Sequence, residues 1–194
     1  MSFRPPVRPV WVERMIAHAD AVGGAEHLVS LAADDLLEVA RASTGLTDFG
    51  PDEWRESFRV LLRALEDESD LHLVGRLLAR SEILSALRNR LRLADLWRRR
   101  PELLGSEVEA PVFIVGSPRS GTSILHELMA CDPASRAPAL WEMQHPVESF
   151  EGVDRGEVAD RTARLWQDIQ PEYETMQANS GTAPNECIFI TLHE

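Results

Sequence analysis

Lysine is absent from this 194-residue chain, whose 20 basic side chains are all arginine. That excludes a phosphoryl-transfer loop of the Walker A kind, which needs a lysine to reach the β- and γ-phosphates. Cysteine is scarce, and Cys131 and Cys187 follow no ligand or disulfide spacing. They read as structural thiols of a reducing compartment, and neither a disulfide framework nor a zinc site is expected. No run of apolar residues is long enough to span a bilayer, and the opening Met-Ser-Phe-Arg-Pro-Pro has no apolar core of a leader. A cytoplasmic protein with no membrane partner is therefore expected. Net positive charge is lacking too: 32 acidic residues against 20 basic ones give −12, which argues against a nucleic-acid partner. Six arginines do cluster between Arg88 and Arg100. Helix-spaced leucines separate them, so they read as a solvated helix face.

The length fits one ordinary domain with a sizeable core. Residues 1–9 are proline-rich, and residues 10–104 read as mostly helical. Ser30 is placed to cap a helix over 31–42 that Gly45 ends. Pro51 opens another, with Trp54, Phe58, Leu61, Leu62 and Leu65 in one apolar stripe. A third begins at Ser81, carries Leu84, Leu87, Leu91 and Ala94 on one side, and stops before Pro101. Such stripes need a common partner, so a helical layer over 1–109 is expected to wall an acceptor pocket or to form a homodimer surface. A further helix over 154–170 is expected to bury Val158, Thr162, Leu165, Trp166 and Ile169. The run from Cys187 to Leu192 suits strand or helix, and the Pro-Asn-Glu before it favours helix.

The most informative stretch is residues 111–123, Pro-Val-Phe-Ile-Val-Gly-Ser-Pro-Arg-Ser-Gly-Thr-Ser. Val112 to Val115 read as a buried parallel strand, and Gly116 to Gly121 as a tight turn. Ile124, Leu125, Leu128 and Met129 mark one side of the helix that follows. Strand, glycine-bounded loop and helix start predict an anion cradle, because first-turn N–H groups lack carbonyl partners and the helix dipole favours negative charge. Arg119 can fork onto two oxygens of a terminal oxyanion. Gly121 admits close backbone approach, and Thr122 and Ser123 add hydroxyls. The glycine spacing is that of Walker A, but Thr122 stands at the lysine position. A dinucleotide fingerprint fits no better, since Pro118 occupies the place of its middle glycine.

From Val112 to Met129 the sequence resembles the 5′-phosphosulfate-binding loop of the PAPS-dependent sulfotransferases. The nearest likeness is to the bacterial branch with a Pro-Arg-Ser-Gly-Thr loop, a form shared with the protein-tyrosine sulfotransferases. Cytosolic steroid and phenol sulfotransferases usually carry lysine where this chain has Arg119. The likeness continues through Asp132-Pro133 and Arg136-Ala-Pro-Ala-Leu-Trp-Glu142.

The resemblance implies an α/β, P-loop-type nucleotide-binding fold over 110–194, behind the helical N-terminal region. It implies 3′-phosphoadenylyl sulfate (PAPS) as sulfuryl donor, no metal, and a small-molecule acceptor hydroxyl or amine. Donor contacts would come from Ser117, Arg119, Ser120, Gly121, Thr122 and Ser123, with Arg119 stabilising charge on the leaving phosphate. Glu142 stands where the protein-tyrosine enzymes place their catalytic glutamate, and it would take the acceptor proton. His145 is the second choice of base, since imidazole titrates in the right range. Against these roles, Glu142 would serve only to pair with Arg136, and Trp141 would be core rather than pocket wall. His126 reads as a packed helix histidine. Only one clear strand is legible after residue 110, and the family's 3′-phosphate contacts lie on later elements. The chain is thus expected to be an N-terminal portion with an incomplete sheet, inactive alone. The alternatives are a small-molecule kinase with a degenerate loop, or a non-catalytic anion-binding or assembly remnant.

Overall fold

The computed structural model describes residues 7–117, 120–148, 152–172 and 180–193. Its N-terminal layer is built from α1 (Val10–Ala21), α2 (Ala33–Thr44), α3 (Trp54–Asp67) and α4 (Leu73–Arg99). Helix α2 ends as expected: Gly45 takes φ 69° and donates its N–H to the Arg41 carbonyl at 2.8 Å. Its start is later than expected, because the Ser30 hydroxyl accepts from the Ala32 N–H at 3.1 Å, ahead of the first turn. Helix α4 begins eight residues before the expected Ser81, where the His72 Nδ1 accepts the Gly75 N–H at 3.1 Å.

The main core lies between α2, α3 and α4. Leu36, Trp54, Leu62, Leu84, Leu87 and Leu91 are buried there, so the α4 stripe faces inward and the α3 stripe does so except at Leu61, which is exposed. Trp54 sits between Phe49 and Phe58, with ring centroids 5.4 and 5.5 Å away. One guanidinium is buried with them. Arg76 donates through Nε to the Val29 carbonyl at 3.0 Å and through both terminal nitrogens to Glu66 at 2.7 Å. That pairing holds the Glu66 carboxyl below its ordinary range. The arginine cluster divides. Arg98, Arg99 and Arg100 are exposed, whereas Arg88, Arg90 and Arg92 are half-buried. Arg90 donates to the carbonyls of Phe49, Pro51 and His193, so it ties loops to α4 instead of facing solvent.

Downstream come α5 (Thr122–Ala130), α6 (Leu140–Gln144), α7 (Arg155–Ile169) and the short α8 (Ile188–Thr191), so the Cys187–Leu192 run is helical. Asp154 caps α7, accepting from the N–H groups of Gly156 at 2.7 Å and Glu157 at 3.3 Å. Its buried face is Gly156, Ala159 and Ala163; Leu165 is exposed. The expected face is rotated because Gly181 packs against the helix. A Cβ on Gly181 would lie 2.5 Å from the Gly156 carbonyl oxygen and 3.0 Å from the Ala159 Cβ. Only small residues permit that approach.

The expected α/β fold is not found. No strand occurs among the described residues, and the one ladder feature is an isolated antiparallel bridge between Ala139 and Pro184. Val112–Val115, read from sequence as a buried strand, is unpaired, with Val112, Phe113 and Val115 at 71, 81 and 91% exposure. A strand is stabilised by its neighbours, and among the described residues no second strand is present to pair with it. The nucleotide-binding P-loop fold is corrected accordingly to a helical architecture.

Candidate anion-binding site

Around the start of α5 the described residues pack closely, although no sheet is present among them. A Cβ on Gly116 would lie 2.7 Å from the Ser120 hydroxyl and 2.8 Å from the Thr122 methyl, so a larger residue fits only if those side chains turn away. Gly121 takes φ 92°, in the left-handed region. Between them the Ser120 N–H reaches the Ser117 carbonyl at 3.1 Å, and the bond from Leu125 N–H to the Gly121 carbonyl, also 3.1 Å, opens the helix. The N–H groups of Thr122, Ser123 and Ile124 therefore have no carbonyl one turn earlier within α5, and no side chain caps its start. Ser117, Ser120 and Gly121 are exposed, and Thr122 and Ser123 are half-buried. Arg119, with Pro118, lies outside the described residues.

Glu142 stands at the start of α6 with both oxygens engaged. Oε2 accepts the Ala139 N–H at 2.9 Å, and Oε1 pairs with Arg136. His145 follows α6, half-buried, with its Nε2 enclosed and without a hydrogen-bond partner. Burial pushes the imidazole pKa down, and Arg92, Arg155 and His193 push it further. Arg155 stacks over the Trp141 ring at 4.5 Å and donates to the His145 carbonyl at 2.9 Å. The structure thus brings Thr122 and Ser123 together with Gly116 and Ser120. Glu142 is held apart in a pairing of its own.

One acidic residue outside the expected set reaches the cradle. The Ser123 hydroxyl donates to Glu186 Oε1 at 3.4 Å, across 63 positions of sequence. Nothing local signals this contact, although the Pro-Asn-Glu turn that carries Glu186 is conspicuous in the sequence. A cavity of about 630 Å³ lies elsewhere, bordered by Ser30, Leu31, Arg59, Arg63, Glu66 and Arg76. Among the described residues no group of His, Cys, Asp and Glu could hold a metal ion, and no helix is long and apolar enough to cross a membrane.

Residues 111–194, which contain the whole cradle, match the model of a sulfotransferase family. The fold is similar to that of sulfotransferase STF1 from Mycobacterium tuberculosis H37Rv, with TM-score 0.68 and 28% identity over 84% of this chain and 47% of that one. Sulfotransferase STF9 from Mycobacterium avium is similar with TM-score 0.67 and 26% identity, over 82% of this chain and 42% of that one. The chain is thus similar to bacterial sulfotransferases, in the sequence of residues 111–194 and in fold. It spans less than half the length of these two sulfotransferases. No curated protein is significantly similar.

Proposed function

We propose that this chain is an anion-binding unit of the sulfotransferase type, whose loop from Gly116 to Ser123 receives the 5′-phosphosulfate end of PAPS. One observation carries the reading: Gly116, where a Cβ would meet Ser120 and Thr122, leads into a helix start with no side-chain cap, inside the region matched by the family model. The fit is chemical as well as steric. Open N–H groups with the hydroxyls of Thr122 and Ser123 offer hydrogen-bond donors to oxyanion oxygens, and Arg119 would supply a full positive charge. A bound donor would provide the sulfuryl group for an acceptor hydroxyl or amine of a small molecule. The chain's residues would hold the donor's terminal oxygens and stabilise charge on the departing phosphate. For Glu142 to take the acceptor proton it must first leave Arg136, and His145 would have to act from beside Arg92 and Arg155.

Binding without turnover by this chain alone is the reading better supported. The unpaired, exposed 112–115 run and the coverage of 47 and 42% of the two relatives favour it. Calorimetric titration with adenosine 3′,5′-bisphosphate tests the binding, and sulfuryl transfer from PAPS to a panel of phenols and amines tests turnover. Arg119→Ala should cost about 2 kcal/mol of bisphosphate affinity, as expected for loss of a charge-assisted pair. Equal affinity in the variant, or a preference for magnesium-ATP over the bisphosphate, would refute the assignment.

A further inference from the structure

The segment that carries Glu186 is held in place at several points. The Ser180 hydroxyl donates to Asp160 Oδ1 at 3.2 Å, fixing its start to α7. The N–H groups of Trp141 and Leu140 donate to the carbonyls of Gly181 and Ala183 at 2.9 and 3.0 Å, fixing its middle to the start of α6. Asn185 is buried, donates its N–H to the Pro138 carbonyl at 3.3 Å, and accepts the Glu186 N–H on Oδ1 at 2.8 Å. Glu186 itself is exposed, and its carboxylate accepts from the Ser123 hydroxyl. A carboxylate on a backbone anchored in this way beside an anion cradle opposes the guest, since like charges repel at short range.

We propose that Glu186 is a positioning residue of the anion site: it holds the Ser123 hydroxyl, and an arriving anion must take that hydroxyl from it. The inference rests on the anion-cradle reading above. Ser123 has one proton to donate, so its bond to Glu186 and a bond to a guest oxygen exclude each other. Turning the Ser123 O–H from the carboxylate to the guest leaves Glu186 charged and without that hydrogen bond next to the bound anion. The repulsion lowers affinity for donor and spent nucleotide alike, and so speeds emptying of the loop.

The test uses the full chain, with adenosine 3′,5′-bisphosphate and inorganic sulfate as probes. Glu186→Gln keeps an acceptor for Ser123 but removes the charge, and should bind both probes roughly three- to tenfold more tightly at low salt, the gain shrinking as salt screens it. Glu186→Asp restores the charge and should return affinity toward that of the parent. In a Ser123→Ala background the effect of Glu186→Gln should fall, because the two residues act as a pair. A merely structural glutamate would weaken or leave unchanged the binding when replaced, never strengthen it. Binding by the parent chain with no gain in Glu186→Gln, or a gain unaffected by Ser123→Ala, overturns this inference alone. Failure of the parent chain to bind either probe overturns the cradle reading and this inference together.

Discussion

Asn89 of α4 and Gln144 at the end of α6 join the N-terminal helical layer to the downstream region through one buried bond. Asn89 is 1% exposed, and its Nδ2 donates to the Gln144 carbonyl at 2.6 Å. Replacement by Leu would keep the volume while stranding that carbonyl. Asn89→Leu should lower unfolding free energy by about 1–3 kcal/mol, the cost of an unsatisfied buried group. A urea melt measures it, and an unchanged midpoint would show that the junction carries no stability.

Gly116→Ala isolates the cradle from the fold. Its added methyl meets the Ser120 hydroxyl and the Thr122 methyl, at 2.7 and 2.8 Å in the present geometry, so those two side chains must turn or the loop must open. Bisphosphate affinity should fall roughly tenfold, about 1.4 kcal/mol, with the melting midpoint little changed. Equal affinity would mean that the loop does not have to be this tight.

His145 sets a pH dependence whose sign is fixed by its surroundings. Its imidazole is held below the ordinary histidine value of 6.5 by burial first, then by Arg92, Arg155 and His193. The folded state therefore favours neutral imidazole, while the unfolded chain takes up a proton at higher pH. The contribution is complete above 6.5 and is lost as pH falls through the window below it. Thermal midpoints should drop between about pH 7 and pH 5, and His145→Gln should flatten that limb. An identical acid limb in the variant would assign the drop to other groups.

Phe113 and Val115, 81 and 91% exposed, lie in the segment that leads into α5, where Ile124 and Leu128 are 66 and 65% exposed. Apolar exposure of this kind favours association in solution. Light scattering during size-exclusion chromatography should show concentration-dependent self-association, and Phe113→Asp with Val115→Asp should reduce it. A monodisperse monomer at every concentration would contradict this expectation.

Features governed by neighbouring residues were legible in the sequence. The α3 stripe from Trp54 to Leu65 largely turned inward, Gly45 ended α2, and the Pro-Asn-Glu turn led into helix at Ile188. Each follows from side-chain spacing or from φ preferences that operate within a few residues. The glycine-bounded loop at 116–121 was legible for the same reason, since its closure involves only residues up to Thr122.

What depended on distant partners was decided by tertiary structure. Val112 to Val115 has the composition of a buried strand, but strand formation requires a neighbour, and none is present among the described residues. The buried face of α7 turned to Gly156 and Ala159 because Gly181 packs there, a demand that the helix's own periodicity does not contain. Glu142 has the residue type of a proton acceptor, yet Arg136 and the Ala139 N–H take its oxygens. Glu186 reaches Ser123 only because Asp160, Trp141 and Pro138 anchor the intervening chain. Local sequence sets which groups can bind an anion; long-range packing sets which charges stand beside it, because Coulomb interaction depends on distance in space rather than along the chain.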